Sequence, residues 1–144
     1  MIRLLPLVLF AAACGTTSDA APAAPAKPAA AASSERDVCV QMFQRQRTCT
    51  AEFIPALVDL RARLDLPAGI AASVKSDRSA VIAQANEEWK HDSTDAAIGA
   101  TCDHLATEAH DPADVQAIQG CLAKTDCGTY VSCSMPVLEK HLHK

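Results

Sequence analysis

The chain has 144 residues, a formal charge of −4 and 3% aromatic content, and much of its apolar 49% is alanine. That length gives one modest core and leaves no room for a second, while the acidic balance excludes general nucleic-acid binding, which needs clustered cations to displace phosphate counterions. Small, helix-favouring side chains, with Phe43, Phe53, Trp89 and Tyr130 as the only aromatics beyond the first 35 residues, point to an all-α fold rather than a β-sandwich.

Met1 to Ala13 reads as a secretory signal: Arg3 in a short positive start, the apolar run Leu4 to Phe10, then Ala11-Ala12-Ala13 before Cys14. The run is too short to span a bilayer, which takes ~20 residues. Three small residues before a cysteine resemble the bacterial lipobox, with Ala11 standing where that motif most often has leucine. The resemblance implies a diacylglycerol on the Cys14 thiol, cleavage just before it, and usually acylation of the new amino terminus; several acyl chains together hold a protein stably at a membrane. Gly15, in place of an aspartate, implies the outer membrane by the enterobacterial sorting rule. Expected segments are therefore a signal peptide over 1–13, the lipidated Cys14 with an Ala/Pro-rich linker over 14–35, and a Cys-rich helical domain over 36–144. Between Gly15 and Ser34 there are nine alanines with Pro22, Pro25 and Pro28 spaced by three, which disfavours helix and predicts a disordered, extended tether. At ~3.1 Å per residue such a tether reaches up to ~60 Å.

The first helix is expected to start at Glu35 to Asp37, capped by Ser33 or Ser34, with Cys39, Met42, Gln46, Cys49 and Phe53 on one stripe. Pro55 is expected to open a second helix carrying Leu57, Leu60 and Leu64 until Leu66-Pro67 ends it. A turn or short helix follows through Ile70 and Val74, and Asp77 then caps a segment with Ile82, Ala85 and Trp89 on one face. Ser93 or Thr94 starts a helix with the stripe Ile98, Cys102, Leu105 and Ala109. Asp111-Pro112 supplies a cap and first-turn proline for its successor with Val115, Ile118 and Leu122, and these two are expected to pack as a hairpin. The last helix is predicted to begin at Asp126 and to kink or restart at Pro136. The sum is a small disulfide-stapled bundle of about five to six helices.

Seven cysteines leave six once Cys14 is set aside, which predicts three structural disulfides. The hairpin expectation places Cys102 level with Cys121, and antiparallel packing of the first and last helices then gives Cys39 to Cys133 and Cys49 to Cys127. Six cysteines allow 15 pairings, so the pairing is the least constrained of these expectations. No Cys-x-x-Cys occurs, the spacing on which zinc knuckles and thioredoxin-type centres depend.

The stretch Cys121-Leu-Ala-Lys-Thr-Asp-Cys127 through Cys133-Ser-Met-Pro136 resembles the tail of small cysteine-rich lipoproteins of myxobacteria and their relatives. The likeness covers the lipobox, the tether and these last residues, and implies a lipoprotein without implying an activity.

Chemistry-bearing residues are few. His104 and Glu108, four apart, could share a metal but lie off the apolar stripe on a face expected to be wet, and His141 with His143 could loosely chelate copper or nickel, in a place where cations are also favoured by the helix dipole. Glu87 and Glu88 diverge by ~100° around their helix, so at most one faces inward. With five glycines and no Gly-x-Gly, a phosphate cradle is unsupported, and no nucleophile–histidine pattern stands out. Charge is uneven: Arg36, Arg45, Arg47, Arg61 and Arg63 outweigh Asp37, Glu52 and Asp59, whereas ten carboxylates from Asp77 to Asp126 face Arg78, Lys90 and Lys124. These surfaces are expected either to face each other within the fold or to dock a partner. The leading expectation is a non-catalytic binding module at the cell envelope, joined to the membrane by the lipid on Cys14, with an envelope protein as partner and no cofactor. The alternatives are metal binding or delivery through His141 and His143, and a small envelope hydrolase with an unrecognised site.

Overall fold

The structure, a computed structural model, describes residues 34–108 and 110–142; the expected signal peptide, Cys14, the body of the tether, Ala109 and His143 lie outside the described residues. Six helices are present and no strand occurs among the described residues: α1 (Glu35–Thr48), α2 (Thr50–Leu64), α3 (Ile70–Asp92), α4 (Asp95–Leu105), α5 (Pro112–Leu122) and α6 (Cys127–Leu142).

Local chemistry sets the helix starts. Ser34 opens α1 with a reciprocal capping box, its Oγ accepting from Asp37 N at 3.1 Å while Ser34 N donates to Asp37 Oδ2 at 3.2 Å. The Ser34 hydroxyl, which donates to Asp37 Oδ2 at 2.7 Å, and Ser34 N together hold the Asp37 carboxyl below the usual carboxylate range. Thr94 accepts from Ala97 N to start α4, Asp111 accepts from Ala113 N with Pro112 behind it to start α5, and Asp126 accepts from Thr129 N at 2.7 Å to start α6. Inside α3 the single non-helical residue is Asp77, whose carboxylate accepts from Ala80 N. The sequence signal for a new start there is real, although the two helical pieces abut.

Pro55 departs from expectation, and of the two expectations for Pro136, a kink or a restart, the restart does not occur. Pro55 lies inside α2, which already begins at Thr50: Phe53 N donates to Cys49 O at 2.8 Å and Thr50 Oγ1 donates to Arg47 O at 2.6 Å, restarting the helix one residue after α1 ends. The carbonyl that Pro55 leaves without a helical donor is that of Ala51, which is exposed and open to water. α6 runs through Pro136 to Leu142 rather than restarting, and the carbonyl released there belongs to exposed Ser132.

α2 ends at Leu64, where Asp65 takes a left-handed conformation (φ 49°). The Asp65 carboxylate then accepts from Gly69 N at 2.9 Å and Ala71 N at 3.1 Å, capping α3, whose own cap residue Gly69 has no side chain to offer. Asp65→Ala is expected to lower stability by about 1–2 kcal/mol, with Asp65→Asn retaining most of it because the amide oxygen still accepts and asparagine tolerates the left-handed backbone. Denaturant titration of the two variants checks this.

α1 and α2 follow each other with only Cys49 between them, and the rest is assembled on the pair: α4 and α5 pack on α1, α3 and α6 pack on α2, and α6 also packs on α5. The main core cluster unites Cys49, Phe53, Ile54, Val58, Cys121, Tyr130 and Val131. Ile98 and Cys102 of α4 are buried as well.

This arrangement corrects the expected hairpin and two of the three expected disulfides. α4 and α5 each seat on α1, and the connection between them, residues 106–111, is long enough to permit it. Cys102 of α4 therefore bonds Cys39 of α1, not Cys121. The tight antiparallel hairpin is α5–α6, and it joins Cys121 to Cys133 rather than Cys133 to Cys39. Cys49 bonds Cys127, tying the α1–α2 junction to the start of α6. Cα separations of 5.7, 5.5 and 5.2 Å suit all three bridges.

Candidate functional site

The uneven charge resolves largely inside the fold. Arg36 Nε donates to Asp103 at 2.6 Å, and Arg47 reaches Asp95 at 2.8 Å and the carbonyl of Ser93 at 2.7 Å, so the basic face of α1 meets the acidic α4. Arg63 grips Glu139 with both nitrogens, and Arg78 does the same to Asp59, holding that carboxyl below its ordinary range. Arg45 serves a structural purpose: its guanidinium donates to the carbonyls of Lys124 and Thr125 beyond the end of α5 and lies 5.6 Å from the Tyr130 ring centre. Of the six arginines among the described residues, only Arg61 has a side chain with neither an ion pair nor a hydrogen bond.

Arg61 borders the cleft between α2 and α3. The cleft has a volume of about 460 Å³, and its apolar walls include Leu57, Val58, Pro67, Ile70 and Val81. Asp65 positions this wall by starting α3 directly after the turn, and the paired Asp59 and Arg78 fix α3 alongside α2. At the other end Trp89 packs 5.3 Å from Phe53 and 6.2 Å from Phe43, and its Nε1 donates to Thr50 Oγ1. The remaining polar groups on the cleft are engaged: Ser73 Oγ donates to Gly69 O, and Gln84 Nε2 donates to Glu88 Oε1 at 2.9 Å. Glu88 is thus an exposed carboxylate with a local donor, and its neighbour Glu87 pairs with Lys90.

The other candidates are placed apart from this cleft. His104 lies 3.6 Å from Glu108 on an exposed stretch of α4. His141 Nε2 is 3.2 Å from Asp114 Oδ2, but Lys140 Nζ sits on the same carboxylate at 2.9 Å and also reaches Asp111. A resident ammonium thus shares the carboxylate that a metal on His141 would use. Among the described residues no group of three or more histidine, cysteine or acidic side chains is arranged to hold a metal ion. His110 Nε2 lies 2.7 Å from Leu105 O, so the described ring contacts of His104, His110 and His141 are to carboxylates or a carbonyl, and none is to a hydroxyl or thiol.

No family model, curated protein or solved structure matches this chain. The cleft was not legible in the sequence: Leu57 and Arg61 are four apart on α2, but the opposing wall comes from α3, and Arg61 differs from its neighbours only in what the other arginines find to pair with.

Proposed function

We propose that the chain is an exported lipoprotein, cut before Cys14 and anchored through acyl chains on that residue, whose helical domain is a non-catalytic binding module presented at the cell envelope. The observation that carries this reading is the fate of the cysteines: all six that follow Cys14 are consumed in three disulfides, leaving Cys14 as the odd one. Disulfides persist in oxidising compartments beyond the cytoplasm, which suits the signal-like start before Cys14. Gly15 favours the outer membrane, and the Ala/Pro segment would serve as the tether between lipid and domain.

A binding role fits what the domain offers. Among the described residues, His104, His110 and His141 meet carboxylates or a carbonyl, four of the five arginines of α1 and α2 are occupied within the fold, and an apolar cleft with an unpaired guanidinium remains open. Intact mass spectrometry of the membrane fraction, with alkylation before and after reduction, is expected to give a mass starting at acylated Cys14 and six alkylations only after reduction. A soluble, unacylated product, or thiols that react without reductant, would overturn the reading.

A further inference from the structure

Three features of the α2–α3 cleft constrain its ligand together. The walls are aliphatic; Ser73 and Gln84 already donate within the fold; and Arg61 retains every donor of its planar fork. A volume of about 460 Å³ lies within the range of small-molecule pockets, roughly 300–1,000 Å³. Leu66, the exposed large hydrophobic among the described residues, precedes Pro67, which lines the cleft.

The axial register separates the charges. Asp59 pairs with Arg78 and Thr50 with Trp89, so α2 and α3 run antiparallel, and Arg61 lies level with residues near 77 while Glu88 lies near the start of α2. Eleven residues of helix amount to roughly 16 Å. The cationic end of the cleft is thus remote from its acidic end, with Leu57, Val58 and Val81 between them. A peptide laid in that stretch would bring a run of backbone donors and acceptors to walls with few polar side chains, at about 1–3 kcal/mol for each group left buried and unsatisfied. An aliphatic chain has no such groups.

We propose that this cleft binds a medium-chain aliphatic anion, its head group clamped by Arg61 and its chain along Leu57, Val58 and Val81. The inference rests on the binding-module reading and names the ligand class for it. Carboxylate and phosphate head groups both match the guanidinium fork.

The test is calorimetric titration of the oxidised full-length chain with decanoate, decyl phosphate and decyltrimethylammonium, each kept below its aggregation threshold. Saturable binding of the anions and not of the cation is expected, with whichever anion binds tighter identifying the head group. Arg61→Gln is expected to weaken anion binding at least about tenfold, and because Arg61 has no partner in the fold its loss leaves the disulfides and helices intact. Arg63→Gln, which removes a neighbouring charge engaged with Glu139, is expected to leave the affinity unchanged. Absence of saturable binding, equal binding of the cation, or an Arg61→Gln variant that binds as well as the parent would each overturn the proposal. None of these results alters the mass of the anchored protein, so failure of the ligand and failure of the lipoprotein reading are told apart.

Discussion

Replacing Cys49 and Cys127 together by alanine is expected to remove about 4 kcal/mol of stability, a large share of the roughly 5–15 kcal/mol that holds a domain of this size. The bridge spans 78 residues, and in the chain-entropy description the loss grows with the logarithm of the loop it closes. Cys121–Cys133 spans only 12, for which the same relation gives about 3 kcal/mol. Cys49 is also fully buried among Phe53, Ile54, Val58 and Tyr130, so its removal disturbs packing where the α1–α2 junction meets α6. The Cys39–Cys102 loop overlaps the one closed by Cys49–Cys127, and this shared closure makes about 4 kcal/mol an upper figure for either alone. Denaturant titrations of the Cys49→Ala/Cys127→Ala and Cys121→Ala/Cys133→Ala double variants measure the order. If the short-loop pair costs as much as the long-loop pair, loop entropy does not govern these bridges.

Alkali is expected to unfold the domain through Tyr130. This phenol is completely buried, its hydroxyl donates to Met42 O at 3.2 Å, and burial pushes its pKa from 10.0 up to about 12. A group whose pKa rises on folding contributes stability that is complete below its unfolded pKa and lost as pH climbs through the folded one. Stability is therefore expected to fall by about 2–3 kcal/mol between pH 10 and pH 12 on this account. Tyr130→Phe is expected to cost about 1 kcal/mol at neutral pH, for the lost hydrogen bond, and to flatten the alkaline decline. Parallel denaturation of parent and variant across that pH range, with phenolate absorbance followed in the parent, provides the measurement. A variant that declines as steeply as the parent would place the alkaline sensitivity elsewhere.

The two candidate roles of the charge asymmetry illustrate what a single chain conceals. An excess of arginine over α1 and α2 and of carboxylate over later segments is visible by counting, and counting cannot distinguish a docking face from an internal seam. Packing α4 against α1 makes it a seam at Arg36–Asp103 and Arg47–Asp95, and packing α6 against α2 does the same at Arg63–Glu139. Arg61 is left over by that geometry alone.

Helix starts were readable from residue order because a cap is a local contact: Ser34, Asp77, Thr94, Asp111 and Asp126 each bond a backbone amide two or three residues on. The all-α class and the even set of six paired cysteines were readable for the same reason, since composition and parity need no knowledge of neighbours. Proline placement was misread where the freed carbonyl faced water, because exposure is a property of the assembled surface and decides whether a missing amide donor is costly. Helix pairing, and with it two of the three disulfides, required the tertiary structure. Several short stripes of alanine, leucine and cysteine resemble one another, so local pattern discriminates weakly among partners, and the choice of α1 over α5 as the seat of α4 is made by contacts distant in sequence, Arg36–Asp103 separated by 67 residues and Cys39–Cys102 by 63.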